Sequence, residues 1–114
     1  MENLDEEAAL SIIFGNTKRK KRTENLIKVA ESFEYLVGLY GSQHTVAEKV
    51  GLSAEMVREF RRILKLPDEV KALILDRTID RLDVAYRISM LKDAKEQIQA
   101  AKTIANMPSV DIRD

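Results

Sequence analysis

A chain of 114 residues, 45% of them apolar, is long enough to bury one core and too short for two ordinary domains. It has no cysteine and a single histidine, His44, which excludes a disulfide framework, a thiolate metal site and a histidine cluster; no metal ion or cofactor is expected. The formal net charge is zero but unevenly spread: residues 1–14 hold four acids and no base, residues 15–65 hold eleven bases against six acids, and residues 66–114 hold eight bases against nine acids. Positive charge therefore gathers in the middle of the chain, where an anionic partner would bind.

The apolar content is mostly Leu, Ile, Val and Ala, with 4 Gly, 2 Pro and no Trp, a mixture that favours helices over strands. The expected fold class is all-α: a compact multi-helix domain. The acidic N-terminus and the lack of a long apolar run argue against a signal peptide and a membrane span, so a soluble, cytoplasmic protein without membrane contact is expected.

In chain order, Asn3 with Glu6 forms a plausible capping pair for a short acidic helix with Leu4, Ala8 and Ile12 on one stripe, and Gly15 is its stop signal. Residues 16–23 contain Lys18, Arg19, Lys20, Lys21 and Arg22, like charges with no apolar member to bury, and read as a solvated linker. The same five residues would also serve as an arm that neutralises phosphates without reading sequence. From Glu24 to Tyr40 the positions Leu26, Ala30, Phe33, Val37 and Tyr40 recur at steps of four and three, the period of a helix with one buried face. Gly41 ends that helix and Ser42 caps the next. Beyond residue 65, Pro67 and Asp68 start a helix carrying Val70, Leu73 and Ile74; Thr78 or Asp80 caps another through Leu91. Asp93 with Glu96 caps a last helix with Ala94, Ile98, Ala101 and Ala105, which Pro108 ends. The expected division is an acidic helix and basic linker over residues 1–23, a domain over 24–108 and a tail over 109–114, where Val110 and Ile112 are the apolar members.

Residues 42–65 carry a specific combination. Two helices crossing steeply after a short turn need a small residue at closest approach, a permissive residue in the turn and apolar facing sides. Ala47, Gly51 and the set Val46, Val50, Leu52, Val57 and Phe60 supply these, so a helix-turn-helix is expected, with its second helix over about 53–65 and its inner face continuing to Leu64. Ser53 caps that helix, whose outer stripe is Glu55, Arg58, Glu59 and Arg62. In such motifs the second helix enters the major groove, which makes Ser53, Ala54, Glu55, Arg58 and Glu59 candidates for base edges, and Arg61, Arg62 and Lys65 for phosphates or groove edges. Gln43, His44 and Thr45, at the start of the first motif helix, would approach the DNA backbone. The competing reading of the outer stripe is a solvated face held by Glu55–Arg58 and Glu59–Arg62 pairs. His44 reads as a surface or capping residue rather than a pH switch.

The run Val46-Ala47-Glu48-Lys49-Val50-Gly51-Leu52-Ser53, then Val57, then Arg61-Arg62-Ile63-Leu64-Lys65-Leu66-Pro67-Asp68-Glu69-Val70, resembles the central helix-turn-helix domain of ParB-type partition proteins. The resemblance continues in Val84-Ala85-Tyr86-Arg87-Ile88, Leu91-Lys92-Asp93 and Ser109-Val110-Asp111. Its most distinctive part is the Leu-Leu-x-Leu-Pro-x-x-Val run, in which Ile63 replaces the first leucine. It implies a helical domain that inserts the second motif helix into a partition or operator site, with downstream helices bracing it; Arg77, Arg81 and Arg87 are the residues to watch there. Neither the family's arginine-rich nucleotide-binding motif nor a C-terminal dimerisation domain is recognised, so nucleotide-driven clamping is not expected.

The expected partners are double-stranded DNA and a second copy of the chain, paired through the acidic first helix or through the last helix with Val110 and Ile112. The alternative is a protein-interaction module in which Glu55 and Glu59 meet a basic partner. An enzyme is not expected, because no phosphate loop or nucleophile–base arrangement is present, and paired acids such as Asp80 and Asp83 fit helix capping.

Overall fold

The longest helix of the chain organises the others around it. The computed structural model describes residues 4–17 and 22–107, which form α1 (Glu6–Thr17), α2 (Leu26–Tyr40), α3 (Gln43–Val50), α4 (Ala54–Ile63), α5 (Asp68–Leu75), α6 (Leu82–Ser89) and α7 (Ala94–Ala105), with no strand among the described residues. The side chain of Asn25 accepts the Lys28 N–H at 2.9 Å and starts α2; Gly41, at φ 96°, closes it in the left-handed conformation that glycine takes without steric cost. Between these caps α2 buries Ile27, Val29, Ser32 and Leu36 besides the expected Leu26, Ala30 and Phe33. One stripe is not enough because α2 touches α1, α3, α4 and α5. The buried Ser32 hydroxyl is satisfied by donating to the Lys28 carbonyl at 3.1 Å.

In α1 the structure corrects the expected pattern. Asp5 accepts the Ala8 N–H at 2.8 Å and acts as the cap, while Asn3 lies outside the described residues. The buried stripe is Ala9, Ile13 and Asn16, offset by one position from the expected Leu4, Ala8 and Ile12, of which Leu4 and Ile12 pack at the margin of the core. Gly15 does not stop the helix, which continues to Thr17. A glycine in a helix costs about 1 kcal/mol, and here Asn16 gives the chain a reason to continue. Its amide donates to the Ile12 carbonyl at 2.7 Å, and its oxygen accepts the N–H groups of both Thr23 and Glu24 at 2.8 Å. This buried side chain fixes the approach to α2.

Downstream, α5 starts where Pro67 predicts, with Val70 and Ile74 buried and Leu73 half-buried. The next helix starts differently from expectation. Neither Thr78 nor Asp80 caps α6; it follows Arg81 without a side-chain cap and ends at Ser89, short of Leu91. Asp80 is engaged elsewhere: it accepts from the Arg22 guanidinium at 2.6 Å and from Arg77 at 3.0 Å. Arg77 sits at φ 68°, unusual for a side-chain-bearing residue, and its guanidinium donates to the carbonyls of Arg22 and Thr23, both at 3.0 Å. The adjacent Asp76 accepts from Thr78, and that bonding lowers its carboxyl pKa below the ordinary value. Asp93 caps α7 as expected, accepting the Glu96 N–H at 2.9 Å. Ala101 is buried, Ile98 and Ala105 are half-buried and Ala94 is exposed; Pro108, Val110 and Ile112 lie outside the described residues.

Candidate nucleic-acid interface

Ser42 and Ser53 cap α3 and α4 as their positions predict, each accepting at 3.1 Å, from the N–H of Thr45 and of Met56 respectively. Gly51 adopts φ 74°, and the N–H groups of Gly51 and Leu52 both donate to the Ala47 carbonyl, at 2.9 and 3.0 Å. The chain can then reverse within a few residues while Ala47, buried at the crossing, lets the two helices approach. Val46 and Val50 of α3 meet Val57, Phe60 and Ile63 in the core, and the Phe60 ring stacks on Phe33 of α2 with centroids 5.1 Å apart. Ile63, rather than the expected Leu64, completes the inner face of α4, since Leu64 lies past the helix end and is only half-buried.

On the outer face, Ser53, Glu55, Arg58, Arg62 and Lys65 are exposed, while Ala54, Glu59 and Arg61 are half-buried. Arg58 lies 3.8 Å from Glu55, but no Glu59–Arg62 pair forms among the described residues, so the expected continuous ladder is absent. Arg58 instead reaches α6: it donates to the Tyr86 hydroxyl at 3.2 Å and its guanidinium carbon lies 5.9 Å from the centre of the Tyr86 ring. Glu59 has a raised pKa, first through burial and then through the nearby Glu55 carboxylate, with a smaller contribution from Asp83; Arg58 opposes the shift.

The remaining candidates divide by location. Arg61 braces three helices, donating to Glu34 of α2 at 2.7 Å and to Gln43 of α3 at 2.9 Å. Thr45 is half-buried and accepts from the Ser42 hydroxyl at 2.9 Å, while exposed His44 lies 3.5 Å from Glu48. In the basic run, Lys18, Arg19, Lys20 and Lys21 lie outside the described residues, and Arg22 departs from a solvated linker because Asp80 and the Glu24 carbonyl hold its guanidinium. Arg81 pairs with Asp83 at 2.9 Å, and Arg87 is exposed.

A cleft of about 670 Å³ opens beside the C-terminal half of α4, bounded by Glu34 and Gln43 on one side and by Ser89, Lys92 and Gln97 on the other. Tyr86 and the cleft-lining Lys92 had no place among the candidates. Only the fold brings α6 and the α6–α7 turn beside α4, and the one signal in the chain was the stretch from Val84 to Asp93 shared with the partition-protein pattern.

The packing of α3 against α4, joined through the left-handed Gly51 and backed by α2, defines a helix-turn-helix protein. The family model described as the ParB HTH domain matches residues 23–111, most of the chain, and the chain belongs to that family. It is also similar to the nucleoid occlusion protein of Geobacillus sp. (strain WCH70), with 30% identity over 101 residues that cover 88% of this chain and 35% of that protein. The chain therefore spans about a third of that relative's length.

Proposed function

We propose that this chain binds double-stranded DNA sequence-specifically, in partition or in transcriptional control, by laying α4 in the major groove. The observation that carries this reading is the exposed pair Arg58 and Arg62 on the second helix of a ParB-type helix-turn-helix, with exposed Lys65 just past its end. A helix is about 10–12 Å across with its side chains, and the major groove is about 12 Å wide. Ser53, Ala54, Glu55, Arg58 and Glu59 then lie at base edges, and Arg62 and Lys65 at the groove rim. Gln43, His44 and Thr45 approach the backbone of one strand. Arg61 acts chiefly by fixing α4 against α2 and α3. A second copy of the chain supplies the other half of a two-fold site, because one such module buries modest surface on DNA.

The test is an anisotropy titration at several salt concentrations, after selection of bound sequences from a random duplex pool. Affinity must fall steeply with salt, since each neutralised phosphate releases counterions. Arg58→Ala is expected to cost about 1–3 kcal/mol on the selected site and little on unrelated DNA. Salt-independent binding, or equal affinity for every pool sequence, would sink the sequence-specific reading. A palindromic selected site would support the two-copy arrangement.

The acidic group around Glu59, with Glu55 and Asp83 close enough to raise its pKa, favours one alternative: a face for a basic protein segment. Capture of such a partner that survives nuclease treatment, together with no duplex retardation, would transfer the function to that reading.

A further inference from the structure

We propose that the cleft between the C-terminal half of α4 and the α6–α7 turn is a seat for one DNA phosphate, to which Lys92 brings a charge from outside the helix-turn-helix. The inference rests on the DNA-binding reading above and adds a site to it.

The wall of the cleft holds five cations, Arg58, Arg61, Arg62, Lys65 and Lys92, and one acid, Glu34. Arg61 neutralises Glu34 at 2.7 Å, and Glu55 stands 3.8 Å from Arg58. Among the described residues Arg62, Lys65 and Lys92 have no ion-pair partner, so three uncompensated cationic residues line one concavity. Such a concentration focuses a positive potential, and its mutual repulsion is relieved by an anion.

The position of the cleft identifies the anion. From Arg58 to Ile63, the last residue of α4, the rise is about 7.5 Å, and Lys65 lies two residues beyond that end. With Arg58 at a base edge, the Lys65 end lies at the groove rim, where the sugar–phosphate backbone runs. A phosphodiester oxygen there meets Arg62 from α4, Lys65 from just past the end of that helix and Lys92 from the opposite wall.

That wall is braced. The Gln97 amide donates to the carbonyls of Ser89 and Leu91, at 3.3 and 3.2 Å, and the N–H groups of Met90 and Leu91 close the last turn of α6 on Arg87 and Ile88. The backbone that carries Lys92 is therefore held in place. On the other side, Lys71 donates to the Leu64 carbonyl at 3.2 Å and fixes the end of α4. The two walls hold the seat ready before DNA arrives.

The experiment measures the full chain by anisotropy on its selected duplex and on an unrelated duplex, across a salt series. Lys92→Ala is expected to weaken both about three- to tenfold and to lower the slope of log affinity against log salt by about 0.9. Lys92→Arg restores binding, and Lys95→Ala, an exposed lysine outside the cleft, binds as wild type. A set of duplexes, each with one neutral methylphosphonate linkage, is then scanned. At the seated phosphate wild type loses the most affinity, and Lys92→Ala, which keeps Arg62 and Lys65 there, loses measurably less; an equal loss in the two proteins overturns the seat. Wild-type affinity in Lys92→Ala, or a loss confined to the selected duplex, overturns the seat while DNA binding stands. Salt-independent binding by the wild type overturns the DNA reading itself.

Discussion

Arg58 is held before any ligand arrives. The Tyr86 hydroxyl accepts from it, the Tyr86 ring flanks it and Glu55 stands 3.8 Å away, so the guanidinium would give up less rotamer freedom on meeting the base it is proposed to read. Tyr86→Phe keeps the ring and deletes the acceptor. It is expected to reduce discrimination at the base read by Arg58 by about 0.5–1 kcal/mol, as befits an exposed contact, with affinity for unrelated DNA unchanged. Competition titrations with single-base variants of the selected site measure it; a uniform loss on all DNA would assign Tyr86 to the fold alone. Glu59 makes a prediction in pH. Burial and the Glu55 carboxylate raise its pKa, with Asp83 adding and Arg58 opposing, so it takes up a proton earlier than an ordinary glutamate as the pH falls. Because the folded value lies above the unfolded one, the ionised group disfavours the fold at neutral pH, and that penalty disappears as the pH drops through the raised value. Protonation also removes a negative charge from the face proposed to enter the groove, and with it a repulsion from the DNA phosphates. Wild-type DNA affinity should therefore rise on mild acidification, and Glu59→Gln should bind more tightly at neutral pH with a flatter pH profile. Parallel profiles for the two proteins would contradict this. Neither the Tyr86–Arg58 contact nor the Arg61–Glu34 brace was legible in the sequence, because their partners lie 28 and 27 residues apart and helical spacing relates only near neighbours.

The helices were most readable where their ends are decided locally. Ser42, Ser53, Asp93, Gly41 and Gly51 all do what their side chains, or the lack of one, predict, because a cap involves only three or four consecutive residues. Expectation failed where a distant residue intervened. Asp80 is an N-cap by type, yet Arg22 and Arg77 engage it, and Gly15 is a terminator by type, yet Asn16 carries α1 beyond it. Of the expected outer stripe of α4, Glu55, Arg58 and Arg62 are exposed and Glu59 is half-buried, while the cleft beside it depends on several elements meeting and has no local signature. Gly15 offers a direct measure of the difference. A Cβ there would meet nothing within 4 Å and its backbone is helical, so Gly15→Ala should stabilise the protein by about 0.5–1 kcal/mol. Thermal melts should show a rise of roughly 2–6 °C. An unchanged or lowered melting temperature would mean that the glycine meets a need of its own.

At the scale of the whole molecule, the first helix belongs to the same core as the helix-turn-helix. Ala9 and Ile13 are fully buried, α1 packs on α2 and touches α3, and Tyr40 near the end of α2 donates a hydrogen bond to Glu6. The Arg22, Arg77 and Asp80 contacts join the entry of α2 to the loop before α6. A chain shortened to start at Glu24 is therefore expected to lose at least about 2 kcal/mol of stability, since Ile13 alone fills a fully buried position. Urea denaturation followed by circular dichroism would measure the loss, and an unchanged midpoint would show α1 to be dispensable. The family match runs from residue 23 to 111 and leaves this helix out. The inherited unit and the folding unit thus have different edges. Grafted into another protein by its matched boundaries alone, the domain would arrive with the trough on α2 that Ala9 and Ile13 fill lying open, and its first symptom would be stickiness and poor solubility rather than a change in what it recognises.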